Sequence, residues 1–145
     1  MFAGTGGSGV KNMPSEHIKI MPKKCVTCHT HKEEEEQKEA DEKANMTLQK
    51  GGHTFRSDDR ACMKCHENPK LLVKEQNEKT AALLKRLKKL LDSATDKKSA
   101  SYRTARLNYN IVIADGGIGL HNPGYAQALL RYGISALTVE SVWER

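Results

Sequence analysis

The residues of this chain best equipped for chemistry are its four cysteines and six histidines, and they fall into a repeated arrangement. Cys25-Val26-Thr27-Cys28-His29 and Cys62-Met63-Lys64-Cys65-His66 both read C-x-x-C-H, and no cysteine is left over. Two thiols three residues apart can reach the two vinyl groups of one porphyrin, and the histidine that follows is placed to ligate its iron. This is the attachment signature of c-type haem. Tetrahedral zinc held by two C-x-x-C knuckles, a thioredoxin-like redox pair and two plain disulfides also use cysteines in such patterns. None of them needs a histidine after each second cysteine. The expectation is two covalently bound haem c groups, attached through Cys25, Cys28, Cys62 and Cys65, with His29 and His66 as proximal iron ligands.

An electron-carrying haem iron favours a sixth ligand, because six-coordinate iron changes redox state with little rearrangement and offers substrate no open position. His17, His31, His53 and His121 remain, and two are needed. Met13, Met21 and Met46 are alternatives, but the surplus of histidine favours bis-histidine ligation. His53 lies nine residues ahead of Cys62, after Gly51-Gly52, in a loop that can fold back over the second haem; His17 precedes Cys25 by eight residues in the same manner. His31, two residues after His29, is too close to reach the opposite face of the same haem, so it serves another haem or is an ordinary surface histidine.

The elements that must position these residues are helical. At 145 residues the chain suits a single domain, but 37% hydrophobic with 5% aromatic is a thin supply for a packed core. Two apolar haem discs would fill part of that interior. Residues 1–24, rich in glycine, lysine and methionine, read as an irregular arm, and 25–70 as the haem-attachment region with loops. Within it, Lys32 to Asn45 carries seven acids against three lysines and reads as a solvated surface. Residues 71–145 form the helical region. Leu83, Leu84, Leu87, Leu90, Leu91 and Ala94 make one stripe of a helix over about 71–95, whose other face carries Lys85, Arg86, Lys88 and Lys89. A second helix is predicted over about Ala100 to Ala114, ended by Asp115-Gly116-Gly117-Ile118-Gly119. The third starts at His121-Asn122-Pro123, with Asn122 as N-cap and Pro123 at the first helical position, and continues through Ala126, Leu129, Leu130, Ile134 and Leu137 toward Trp143. The fold class is mainly α: a haem-packed N-terminal half, a C-terminal long-helix hairpin or bundle, and little or no sheet.

From Ala105-Arg106-Leu107-Asn108-Tyr109, through Asp115-Gly116-Gly117-Ile118-Gly119-Leu120-His121-Asn122-Pro123-Gly124-Tyr125-Ala126, to Leu129-Leu130, the chain resembles the C-terminal helices of a family of multihaem cytochromes. That family is the superfamily of ammonia-forming cytochrome c nitrite reductase, hydroxylamine oxidoreductase and octahaem tetrathionate reductase. The resemblance covers about residues 50–145, and the N-terminal part only through its haem motif. It implies that the histidine of the H-N-P run is distal ligand to the penultimate haem, and a histidine upstream of the last motif is distal ligand to the last. Carried over, His121 pairs with His29 and His53 with His66, leaving His17 and His31 as spare ligands or ligands to a haem of an adjacent molecule. The nitrite reductases react at a haem with lysine in place of the motif histidine, and no C-x-x-C-K occurs here. The hydroxylamine enzymes use a cross-linked tyrosine, and none of Tyr102, Tyr109, Tyr125 and Tyr132 stands in a matching context. The chain resembles the electron-relay end of the family without its catalytic end.

The function expected from this reading is electron transfer by a dihaem cytochrome that is not an enzyme, as a protomer of a longer haem chain or filament if the spare histidines bridge molecules. The rival is a small reductase or oxidase of nitrogen or sulfur compounds with one open haem. Haem c is attached outside the cytoplasm, so the expected location is periplasmic or extracellular. Met1 to Val10 has neither a basic n-region nor an apolar h-region, so the chain is expected to be a mature or trimmed form. The formal charge of +6, less about one for each ferric haem, leaves about +4, which suits acidic redox partners. No stretch is long and apolar enough to span a bilayer, and the basic helix face lacks the aromatic interleaving of a nucleic-acid surface.

Overall fold

The computed structural model describes residues 1–21, 23–29, 57 and 60–143, with 140–143 as backbone alone. Among the described residues there are six helices and no strand: α1 (His17–Ile20), α2 (Cys25–His29), α3 (Arg60–Met63), α4 (Pro69–Ser93), α5 (Ala100–Ala114) and α6 (Pro123–Trp143). The protein is mainly helical, as the periodicity predicts. Its chain divides into two compact units, Met1–Ile18 with Val73–Arg145, and Lys19–Leu72.

In the first unit the three long helices meet on the predicted stripes. Leu87 and Leu91 of α4, Ala105 and Val112 of α5, and Tyr125, Ala126, Leu129, Leu130, Ile134 and Leu137 of α6 make one buried cluster. The three helices come close at Gly133, where an added Cβ would stand 3.0 Å from Leu87 Cδ2 and 3.3 Å from Ala105 Cα. Small residues at 105 and 133 therefore let α4, α5 and α6 come together. The outer face of α4 stays wet: Lys85, Arg86, Lys88 and Lys89 are exposed, and Lys88 Nζ lies 2.7 Å from Asp92 Oδ2 in an exposed pair one turn away. Such pairs contribute little to stability.

Local chemistry sets the helix ends. Asn68 Oδ1 accepts from Leu71 N at 3.1 Å and Pro69 occupies the first position, so α4 begins two residues before its apolar stripe suggests. Ser99, with extended backbone, caps α5 by accepting from Tyr102 N at 3.1 Å. Ser99→Ala is expected to cost about 1 kcal/mol, read as a lowered midpoint in urea unfolding with an unchanged slope. Asn122 Oδ1 accepts from Tyr125 N at 3.2 Å and caps α6, as the Asn-Pro dipeptide predicts.

Residues 1–15 of the irregular arm are a folded loop bound to this bundle, and the short helix α1 follows where the sequence reading places no element. The loop closes on itself where Met13 N donates to Gly4 O at 2.9 Å and Ser15 N to Phe2 O at 3.1 Å. Its tip docks through backbone atoms: Gly7 N donates to Tyr125 Oη at 2.8 Å, and Ser8 N to Asn108 Oδ1 at 2.9 Å. Asn108 Nδ2 in turn donates to Ser8 O at 2.9 Å, and Asn122 Nδ2 to Met13 O at 2.6 Å. Glycine is required at the tip, because a Cβ at Gly7 would fall 2.1 Å from Leu129 Cδ2. At Gly9, where φ is +74°, it would fall 2.0 Å from the Tyr132 ring. With the Gly7 and Ser8 amides committed to Tyr125 and Asn108, the glycine-rich stretch is a packing loop and not an anion cradle.

Candidate functional site: haem attachment and iron ligands

In the unit Lys19–Leu72 the first motif is itself a helical turn. The chain enters it through Lys24, whose φ of +46° lies in the left-handed region, with Val26 N and Thr27 N bonded to Lys23 O and Lys24 O at 3.1 and 3.0 Å. Cys25 and Cys28 stand three apart on α2, and His29 four from Cys25, so all three lie on one helical face. The second motif repeats this. Cys62 is on α3, and Cys65 N and His66 N both donate to Cys62 O, at 3.1 and 2.9 Å, which carries the helical turn on to His66. The two turns are neighbours, with Cα atoms of α2 and α3 within 8 Å.

No disulfide joins any of the four cysteines. Cys25 and Cys65 are exposed, while Cys28, Cys62, His29 and His66 are half-buried. Burial, and then the neighbouring Cys25, raise the Cys28 thiol above its ordinary value, so it is held protonated at neutral pH. Its sulfur lies 3.9 Å from Met21 Sδ, which sets one of the alternative axial ligands beside the attachment thiol. Among the described residues, which include all four cysteines, no three His, Cys, Asp or Glu side chains converge as a metal ion requires.

Haem fits this unit on a separate ground. Among its described residues only Ala61 and Pro69 are buried, whereas Ile20, Val26, Met63, Leu71 and Leu72 are exposed by 64%, 46%, 61%, 50% and 38%. Val26 and Met63 lie within the motifs, and Ile20, Leu71 and Leu72 within six residues of them along the chain. A porphyrin bonded at each turn has the size and polarity to cover them.

His121 belongs to the other unit, in the turn between α5 and α6. Asp115 ends α5, and its two carboxylate oxygens do different things: Oδ2 accepts from Gly119 N at 3.1 Å and Oδ1 lies 2.8 Å from His121 Nδ1. The Asp115 side chain is 5% exposed and that of His121 40%. The turn is braced further by Leu120 N to Gly117 O at 2.9 Å and Asn122 N to Gly119 O at 3.1 Å. Ile118 inside it has φ +52°, a strained backbone for a β-branched residue, and is nevertheless exposed. The hydrogen bond to Asp115 raises the His121 pKa, aided by the charge of Asp115 and opposed by partial burial. The sequence marks Asp115 only as a helix breaker; the signal available was a carboxylate six residues before a candidate ligand, across three glycines.

Of the other candidates, His17 starts α1 and is half-buried, in the same unit as His121. His31, His53 and Met46 lie outside the described residues, as does the acidic run. No helix among the described residues is long and apolar enough to cross a membrane. Comparison with protein-family models, with curated proteins and with solved structures gives no match to this chain.

Proposed function

We propose that this chain is a dihaem c-type cytochrome whose work is electron transfer. The observation that carries the reading is the pair of neighbouring C-x-x-C-H turns in a unit that exposes Ile20, Val26, Met63, Leu71 and Leu72 among its described residues. Cys25 and Cys28 would hold one haem and Cys62 and Cys65 the other, with His29 and His66 as proximal ligands and His121 and His53 as distal ones, paired as the resemblance to the multihaem superfamily implies. Bound haem supplies a one-electron couple at its iron. The residues do the rest. The helical turns hold thiols and imidazole on one face, the apolar side chains of the attachment unit keep water from the ring, and the braced turn at 115–122 presents His121. Adjacent attachment turns support closely spaced haems, so that an electron entering at one can leave by the other.

Haem c attachment makes the site of action periplasmic or extracellular, and the net positive charge suits acidic redox proteins as donor and acceptor. His17 and His31 leave room for a finer arrangement, in which protomers ligate one another's haems and stack into a chain.

The test is a covalent haem count together with the electron paramagnetic resonance spectrum of the oxidised protein. Two haems per chain with two low-spin ferric signals are expected. A substantial high-spin signal, with carbon monoxide binding to the reduced protein, would point instead to an open haem and an enzyme.

A further inference from the structure

We infer that Asp115 is a positioning residue that sets His121 for iron and lowers the reduction potential of the haem His121 serves. The inference rests on the proposed function and adds to it a residue that the haem motifs do not indicate.

An ionised carboxylate only accepts hydrogen bonds, so at 2.8 Å the Nδ1 of His121 carries the proton and donates it to Asp115 Oδ1. Nε2 is then the basic nitrogen of the ring, the form an iron ligand must take. The carboxylate is not a passing surface group. It is nearly buried, it belongs to the C-cap residue of α5, whose backbone N–H donates to Ile113 O, and its other oxygen accepts from Gly119 N, so its position is fixed by the same turn that carries His121. Gly117 lets the ring lie close against that turn, since a Cβ there would meet His121 Cε1 at 3.3 Å. A buried carboxylate behind a ligating imidazole pushes negative charge toward the metal and raises the ligand's basicity. Ferric iron, the more highly charged state, gains most, and the couple moves to lower potential. The turn thus orients the imidazole and tunes it through one side chain.

The experiment compares the full-length haem-loaded protein with D115N, D115A and H121A, using electron paramagnetic resonance of the oxidised forms and a spectroelectrochemical titration of both haems. H121A is expected to open one haem to a high-spin state. In D115N the same haem, and only that one, should lose about tenfold in its ferric-to-ferrous preference, a rise of about 59 mV for a one-electron couple, with a shifted low-spin signal. D115A should move it further and leave part of it high-spin. A purely structural role for Asp115 would lower the melting temperature and leave the potential alone. If D115A does not fold, D115N decides, because its amide keeps the shape of the carboxylate and an acceptor oxygen for one of the two contacts. If H121A opens a haem while D115N leaves that haem's potential and signal in place, the inference about Asp115 is overturned and the dihaem carrier stands. If H121A leaves both haems low-spin, His121 is no ligand, and its place in the proposed function falls with the inference.

Discussion

Replacing both thiols of the second motif, Cys62→Ala with Cys65→Ala, is expected to halve the covalent haem, from two groups per chain to one. The mirror pair, Cys25→Ala with Cys28→Ala, should do the same. On the proposed scheme the thioether bonds would make haem part of the chain, whereas a haem held only by His66 and a distal ligand would be subject to dilution. Its retention then follows the free haem concentration relative to its dissociation constant. The measurement is the mass of the denatured chain alongside the absorbance of haem that resists acid extraction. Unchanged covalent haem in either double variant would refute the attachment scheme. A colourless parent that loses its helices to a chelator would restore zinc. A structural consequence should accompany the loss. The unit Lys19–Leu72 exposes Met63, Leu71 and Leu72 beside the second motif, so the variant should bind a hydrophobic dye more strongly than the parent.

Period and caps made most of the helical unit legible in the sequence. The stripe containing Leu87 and Leu91 is the buried face of α4, and Asn122-Pro123 both predicts and forms the start of α6. The same dipeptide at Asn68-Pro69 starts α4, earlier than a reading from apolar spacing alone places it. What the sequence did not disclose was where the arm goes. Its tip has no apolar period, because its partners are reached through backbone N–H and C=O groups. Those partners, Asn108 and Tyr125, lie 100 and 118 residues away along the chain. Asn108 shows the difficulty most clearly. It is a polar residue between the buried Ala105 and Val112 of α5, yet it is fully buried there, with its amide satisfied by the arm and α6. For the site, both C-x-x-C-H runs were evident from residue identity alone. The Asp115 to His121 contact was not, since it depends on the three-dimensional course of a glycine-rich turn.

Asn108 is accordingly where the first unit should be most sensitive. Its side chain joins three pieces of structure: Oδ1 accepts from Ser8 N at 2.9 Å, and Nδ2 donates to Ser8 O at 2.9 Å and to Leu129 O at 3.3 Å. Asn108→Leu keeps much of the volume and suits the apolar neighbours, yet it strips both backbone groups of Ser8 of their partner. An unsatisfied buried group costs about 1–3 kcal/mol, so the expected loss is about 2–4 kcal/mol, to be read from urea unfolding. Tyr125→Phe removes only the acceptor of Gly7 N and should cost about 1 kcal/mol. The two effects should also differ in kind from core damage. Since Asn108 ties the arm to α5 and α6, its loss should free the arm before the helices melt, and trypsin should cut at the exposed Lys11 while the helical circular dichroism is still intact. Cleavage at Lys11 that keeps pace with loss of helix would mean that arm and bundle unfold as one unit, and that Asn108 is a core residue like Val112 and not a clasp for the arm.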